Sequence, residues 1–317
     1  MRTDRTSATP VSRPDAIALI GFGEAGAALA EGWQDTGQVQ RIFAFDIKAA
    51  SRDNAVSSAM WDRYRAGHVI GADHMEVALQ EADCVFSVVT ADQAEAAAIA
   101  AAPHLRPDAL YVDCNSCAPA TKLAAAAEIT RHGARYVDLA IMSPIRPDRH
   151  LSPMLVAGPH AEAACETLAG LGMTPGMAGD TIGQAAATKM LRSVIIKGIE
   201  ALTLESLLAA RAAGVDEAVV ASLDASMPGF DWAARAAYNM ERTTTHGARR
   251  AAEMHEVAAT VEGLGLPARM ARATAAWQQD MGDLGLAPTA DSNHMTYKDR
   301  ADAIRDARAN IRTEETS

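Results

Sequence analysis

The stretch Ala16–Gly26, AIALIGFGEAG, constrains the fold more than any other part of the chain. A short apolar run, Ala16 to Ile20, leads into Gly21, Gly23 and Gly26 at GxGxxG spacing, and an apolar helical pattern follows from Ala25 to Trp33. Strand, glycine turn and helix in that order suit a dinucleotide pyrophosphate. The first glycine permits the tight turn, the second lets backbone approach the phosphates, and the third lets helix and strand pack closely. The helix N-terminus adds free N–H groups and the positive end of a dipole. Gly21, Phe22, Gly23, Glu24, Ala25 and Gly26 are therefore the expected phosphate-facing turn. A lone GxGxxG is common; the strand before it and the helix after it give this one its weight.

The pattern beyond the turn alternates. Arg41–Phe45 reads as a strand, followed by a less regular stretch, a short helix over Asp73–Glu81 and a buried strand at Cys84–Val89. Helices over Asp92–Ala102, Pro119–His132 and Ala161–Leu171 are interleaved with strands at Ala109–Asp113, Arg135–Asp138, Met154–Ala157 and Met173–Met177. Strands that alternate with helices, and are apolar along their length, imply a parallel doubly wound sheet covered on both faces. From Gly183 the character changes: one long helical stretch reaches Ala213, and further helices cover Asp216–Ser226, Thr243–Gly263, Pro267–Leu284 and Arg300–Arg312. The expected organisation is α/β: a Rossmann-type domain over residues 14–181, then an all-helical domain over 182–312. Polar tails at 1–13 and 313–317 are expected to be disordered and frayed.

The 317 residues are 49% hydrophobic and carry a net charge of -11, which argues against a nucleic-acid or anionic-membrane surface. No apolar run approaches the ~20 residues of a membrane-spanning helix. The four cysteines, Cys84, Cys114, Cys117 and Cys165, come without a secretion signal, so a reducing cytoplasm is expected. Cys114 and Cys117 have CxxC spacing, but no second ligand pair accompanies them. We read them as small residues beside a strand-to-helix turn, and expect no metal.

Asp46 ends the second strand, 25 positions after Gly21. A carboxylate there accepts hydrogen bonds from the adenosine ribose and repels a 2′-phosphate, favouring NAD; Lys48 and Arg52 nearby leave NADP possible. Val89 and Thr90 end a central strand, where backbone lines the ligand crevice of an open α/β sheet. Asn115 and Ser116 follow another strand and suit either a nicotinamide ribose or the capping of the next helix. Lys189 lies in an apolar helical run, with Arg192 and Ser193 one turn on. On spacing alone it reads as an ordinary amphipathic-helix lysine; burial and a neighbouring cation would instead tune it for proton transfer. Arg192 suits a bidentate carboxylate contact or a salt bridge to a neighbouring acid. Ser143, Arg146 and Arg149 form a polar loop or a substrate entrance. His246, Arg249, Arg250 and Glu253 share one helix face, either as an anion-binding surface or as a solvated, self-paired run.

The order of these motifs resembles the β-hydroxyacid dehydrogenases, the group of 3-hydroxyisobutyrate and 6-phosphogluconate dehydrogenases. Asp113–Pro119 (DCNSCAP) resembles the family's DxSTxxP segment, with Asn115 and Ser116 in the Ser-Thr places. Asp138–Ser143 (DLAIMS) resembles its DxPVSGG substrate segment loosely, and Met142 stands where a hydrogen-bonding serine is usual. Lys189 aligns with the lysine of KxxNN, while Arg192 and Ser193 replace the two asparagines. These departures, together with HGARRAAEMHEVA (His246 to Ala258), resemble the branch whose helical domain is a phosphogluconate dehydrogenase-like C-terminal domain of unknown function. The resemblance implies that Lys189 is the general acid/base of hydride transfer between nicotinamide and a small hydroxy acid or its carbonyl partner. It also implies substrate contacts from Met142, Ser143, Arg192, Ser193, His246 and Arg250, and a homodimer. An imine reductase-like enzyme, against which Lys189 counts, and a non-catalytic NAD-binding regulatory protein are the alternatives.

Overall fold

The computed structural model describes residues 14–286 and 294–314. The tail expected at 1–13 lies outside the described residues. So does all but the start of the one expected at 313–317, whose residues 313 and 314 close the last helix. The chain forms two compact units that divide after Lys189.

The first unit is built on one eight-stranded sheet in the order β3-β2-β1-β4-β5-β6-β7-β8. Its strands are β1 (Ala16–Ile20), β2 (Arg41–Phe45), β3 (Ile70–Ala72), β4 (Cys84–Ser87), β5 (Leu110–Asp113), β6 (Arg135–Ile141), β7 (Met154–Ala157) and β8 (Gly176–Gly179). Helices α1 (Glu24–Asp35), α2 (Asn54–Ala66), α3 (Met75–Leu79), α4 (Ala94–Ala101), α5 (Pro119–Arg131) and α6 (Ala161–Gly170) connect them. Two apolar clusters, one around Trp33, Phe86 and Leu139 and another around Val85, Tyr111 and Tyr136, cover the sheet. Uninterrupted apolar strands such as β1, buried at all five residues, need a layer on each side.

Register sets the site. Ile20 pairs with Phe45 and with Ser87, Ser87 with Asp113, and Asp113 with Asp138. The carboxyl ends of β1, β2, β4 and β5 therefore lie level along one edge, where open α/β sheets bind ligands, while β6 runs three residues further, to Ile141. One pairing departs from the parallel pattern: β7 runs antiparallel to β6. Between them lies only a loop with a single 3-10 turn, and without a crossover helix the returning strand must reverse.

The second unit contains the later part of α7 (Gln184–Ala213), then α8 (Asp216–Ser226), α9 (Trp232–Gly263), α10 (Arg269–Asp283) and α11 (Tyr297–Glu314). Where the sequence places a boundary near Thr181, the division lies inside α7. The first turn of that helix is bonded into the first unit through the Asp138 carboxylate. Among the described residues no helix is long and apolar enough to cross a membrane.

Candidate functional site

The glycine turn has the geometry its spacing implies. Gly21 sits at φ +93°, and a Cβ there would come within 2.8 Å of the Val88 carbonyl oxygen. A Cβ on Gly26 would collide with the Gly21 carbonyl. At Gly23 a Cβ would meet nothing within 4 Å, so two glycines are needed for packing and the middle one faces open space. Gly23 is also the N-cap of α1 and brings no side-chain hydrogen bond. The first-turn N–H groups of a helix have no intrahelical acceptors, so α1 offers donors at that opening. An open backbone cradle at a helix N-terminus fits a dinucleotide pyrophosphate.

Asp46 closes the neighbouring side. Its two carboxylate oxygens accept the Phe22 N–H at 2.9 Å and the Lys48 N–H at 3.0 Å, which fixes the group against the turn. Each oxygen keeps a second lone pair for a further donor. The Lys48 and Arg52 residues are exposed.

Asn115 joins the ends of β4 and β5. Its Oδ1 accepts the Val89 N–H at 2.7 Å, its Nδ2 donates to Ser87 Oγ at 2.9 Å, and its own N–H donates to Asp113 Oδ1 at 2.9 Å. The capping alternative for Asn115 and Ser116 is not realised. The N-cap of α5 is Ala118, without a side-chain bond, and Pro119 follows at the first helical position. Thr90 is exposed beyond the end of β4. The Lys189 ammonium donates to Ser116 Oγ at 2.5 Å, so the half-buried amine belongs to the same sheet edge as the glycine turn.

Beneath this edge lies a charged cluster that our sequence reading missed. Lys122, completely buried, donates to the Asp113 carbonyl at 2.7 Å and pairs with Asp113 Oδ1 at 2.9 Å and with Asp138 Oδ1 at 3.6 Å. Tyr136 donates its hydroxyl to Asp113 Oδ2 at 2.6 Å. Asp138 Oδ2 accepts the N–H groups of Gly183, Ala185 and Ala186 at 3.0–3.1 Å, where α7 begins. Burial would by itself lower the Lys122 pKa, but Asp113, helped by Asp138, reverses this and holds it above the usual lysine value. Burial and the Asp113 carboxylate push the Tyr136 phenol well up. The available signal was a lone lysine in the apolar helical run PATKLAAAAEI.

Other expected residues have varied surroundings. Met142 packs partly buried against Ala140, Ala157 and Ala185, and Ser143 Oγ donates to the Pro144 carbonyl at 3.2 Å. Arg146 pairs with Glu31 at 2.7 Å, and Arg149 with Asp35 at 2.5 Å, which clamps their loop to α1. Arg192 is exposed, Ser193 buried and His246 half-buried. Arg250 is buried, and its guanidinium binds Glu200 and Gln278. Arg249 pairs with Glu253 at 3.2 Å, so this helix face is at least partly self-paired. Cys114 and Cys117 are both buried, and burial pushes the Cys114 thiol up to about 12. Metal binding and redox attack both need a thiolate.

The same division is found in comparisons with known proteins. Residues 16–164 match the family model described as the NAD binding domain of 6-phosphogluconate dehydrogenase, and residues 210–281 match a domain of unknown function, DUF1932. A conserved hypothetical protein from Sinorhizobium meliloti 1021 is 38% identical; the match covers 92% of this chain and 96% of that one, with a TM-score of 0.70. A conserved protein of unknown function, described as structurally similar to 3-hydroxyacid dehydrogenases, is 28% identical over 86% of this chain and all of its own, with a TM-score of 0.64. The 3-hydroxyisobutyrate dehydrogenase of Mycobacterium tuberculosis, solved with L-serine, shares the fold at 15% identity and a TM-score of 0.68, covering 92% of this chain and 99% of its own. With its glycine cradle, its strand-end carboxylate and its two matched domains, the chain belongs to the β-hydroxyacid dehydrogenase superfamily, in the branch whose helical domain is DUF1932.

Proposed function

We propose that this protein is an NAD-dependent oxidoreductase that acts on a small β-hydroxy acid or its carbonyl partner, with Lys189 as the general acid/base. The observation that carries the reading is the 2.5 Å contact between Lys189 Nζ and Ser116 Oγ, at the sheet edge that also carries the glycine turn. When bound, the nicotinamide supplies or accepts the hydride. The backbone N–H groups of Gly23, Glu24, Ala25 and Gly26 hold the pyrophosphate, Gly21 and Phe22 shape the turn with their own N–H groups bonded to the Phe45 carbonyl and to Asp46, and Asp46 accepts from the ribose hydroxyls. Its charge disfavours a 2′-phosphate. Asn115 aligns Val89 and Ser116 toward the nicotinamide end, beside Thr90.

The neutral Lys189 amine takes the substrate hydroxyl proton during oxidation, and the ammonium returns a proton to the carbonyl oxygen during reduction. Its charge also stabilises a developing alkoxide. The family resemblance supports Arg192, one turn along α7, as the group that binds the substrate carboxylate; Met142 and Ser143 are the further candidates of the first unit, and Ser193 and His246 those of the second. Arg250 is left out of that set because Glu200 already holds it. Exposed Leu191, Ile195 and Leu202 on α7 support association as a homodimer.

Replacing Lys189 with Ala is expected to lower turnover by about 10²–10⁴-fold, the span of general acid–base catalysis, with NADH affinity unchanged within about twofold. The substrate panel should hold hydroxy acids, carbonyl compounds and imines. Undiminished turnover in the variant removes Lys189 from the mechanism. Tighter binding of NADPH than of NADH overturns the role given to Asp46.

A further inference from the structure

Asp113, at the end of β5, and Asp138, in the middle of β6, are register partners on adjacent parallel strands, with backbones about 4.8 Å apart, and both are completely buried. Two carboxylates that close in a dry interior repel strongly unless a cation lies between them. Each is engaged as an acceptor on a different element. Asp113 Oδ1 receives the Asn115 N–H and so shapes the loop that presents Ser116. Asp138 Oδ2 receives three N–H groups from the start of α7, the helix that presents Lys189. The remaining Asp138 oxygen, Oδ1, has no hydrogen bond and faces Lys122 Nζ at 3.6 Å. Lys122 is the cation that faces both carboxylates, at 2.9 Å from Asp113 Oδ1 and 3.6 Å from Asp138 Oδ1. It comes from α5, which follows directly on the Ser116 loop.

We propose that Lys122 is a positioning residue: its ammonium, held between Asp113 and Asp138, ties the Ser116 loop to the first turn of α7 and sets where the Lys189 amine meets Ser116. This rests on the role given above to Lys189. Lys122 does not touch the reacting atoms; it acts through two carboxylates on two backbone segments. A lysine that merely filled space there could be exchanged for an apolar side chain of similar volume without functional loss.

The test compares Lys122→Met with the pair Lys122→Met/Asp138→Asn. The single variant leaves two facing carboxylates and is expected to lose stability, or not to fold. The pair keeps the net charge of the trio, and the amide oxygen introduced by Asp138→Asn still accepts from α7, so the fold is expected to return. Three readouts are taken on the paired variant. Acetylation of Lys189 by acetic anhydride, measured against the exposed Lys48 by mass spectrometry, should speed up by about fivefold, the order of one lost hydrogen bond. Amide exchange at Gly183, Ala185 and Ala186 should quicken relative to the core strands. Turnover should fall by about 100-fold, the order expected for a displaced catalytic group, with KM values within about twofold of the parent. A paired variant with wild-type turnover, or with an unchanged Lys189-to-Lys48 acetylation ratio, overturns the proposal. If the unaltered protein turns over no substrate, the oxidoreductase reading fails, while the acetylation ratio still decides the part played by Lys122.

Discussion

Both units of this molecule use glycines to bring backbone close to something, but not to the same thing. In the first unit Gly21 and Gly26 let strand, loop and helix meet, and Gly23 between them opens onto space. In the second unit Gly247 of α9 and Gly282 of α10 face each other. A Cβ on Gly247 would lie 2.7 Å from Gly282 Cα, and one on Gly282 would lie 2.5 Å from the Ala248 nitrogen. The buried charges divide in the same way. Lys122 connects the neighbouring strands β5 and β6, beside the segments that carry Ser116 and Lys189, whereas Arg250 connects helices: Glu200 of α7, Gln278 of α10 and its own α9. One unit has left a surface open for a ligand, and the other has used comparable chemistry to hold helices together. An unusual residue is therefore a site marker only when the atoms around it leave room.

That contrast can be broken by substitution. The largest effect is expected for Arg250→Met, which leaves Glu200 buried without its cation and should cost the helical unit about 3–5 kcal/mol in denaturant unfolding. Unchanged stability together with a raised substrate KM would return Arg250 to ligand binding. Next comes Gly247→Ala, which forces α9 and α10 apart and should cost about 1–3 kcal/mol, with NADH affinity unaltered. A stable Gly247→Ala would mean that the crossing is looser than its geometry. The smallest effect on folding belongs to Gly23→Ala. At φ -76° alanine is unstrained, so stability should change by less than about 1 kcal/mol. NADH should nevertheless bind about tenfold more weakly, a difference of about 1.4 kcal/mol. Undiminished affinity, measured by quenching or calorimetry, would show that the phosphates lie elsewhere.

Legibility followed the periodicity of each segment. β1, β2, β7 and α8 begin and end where apolar runs and breakers place them. α2 was missed because NAVSSAMWDRYRA buries only Met60 and Tyr64; Asp53, capping Ala55 and Val56, starts it instead. The start of α9 was missed because Asp231 caps it from a left-handed conformation, at φ +52°. The glycine turn and Asp46 were legible because their chemistry is local in sequence. The partners of Lys122 and Arg250 were not, since neither the residue facing a buried charge nor the depth of its burial is written in spacing.

The chain's own order of residues determined the alternation of strands and helices, the glycine turn, and the carboxylate that ends β2. These depend on propensity, backbone freedom and neighbours a few positions apart. Only the tertiary structure decided that β7 reverses, that Lys189 meets Ser116, that Arg250 is taken by Glu200, and that Lys122 sits between two aspartates. Each of these depends on strand register or helix crossing, which bring together side chains that the sequence holds far apart, and burial then makes their charges count.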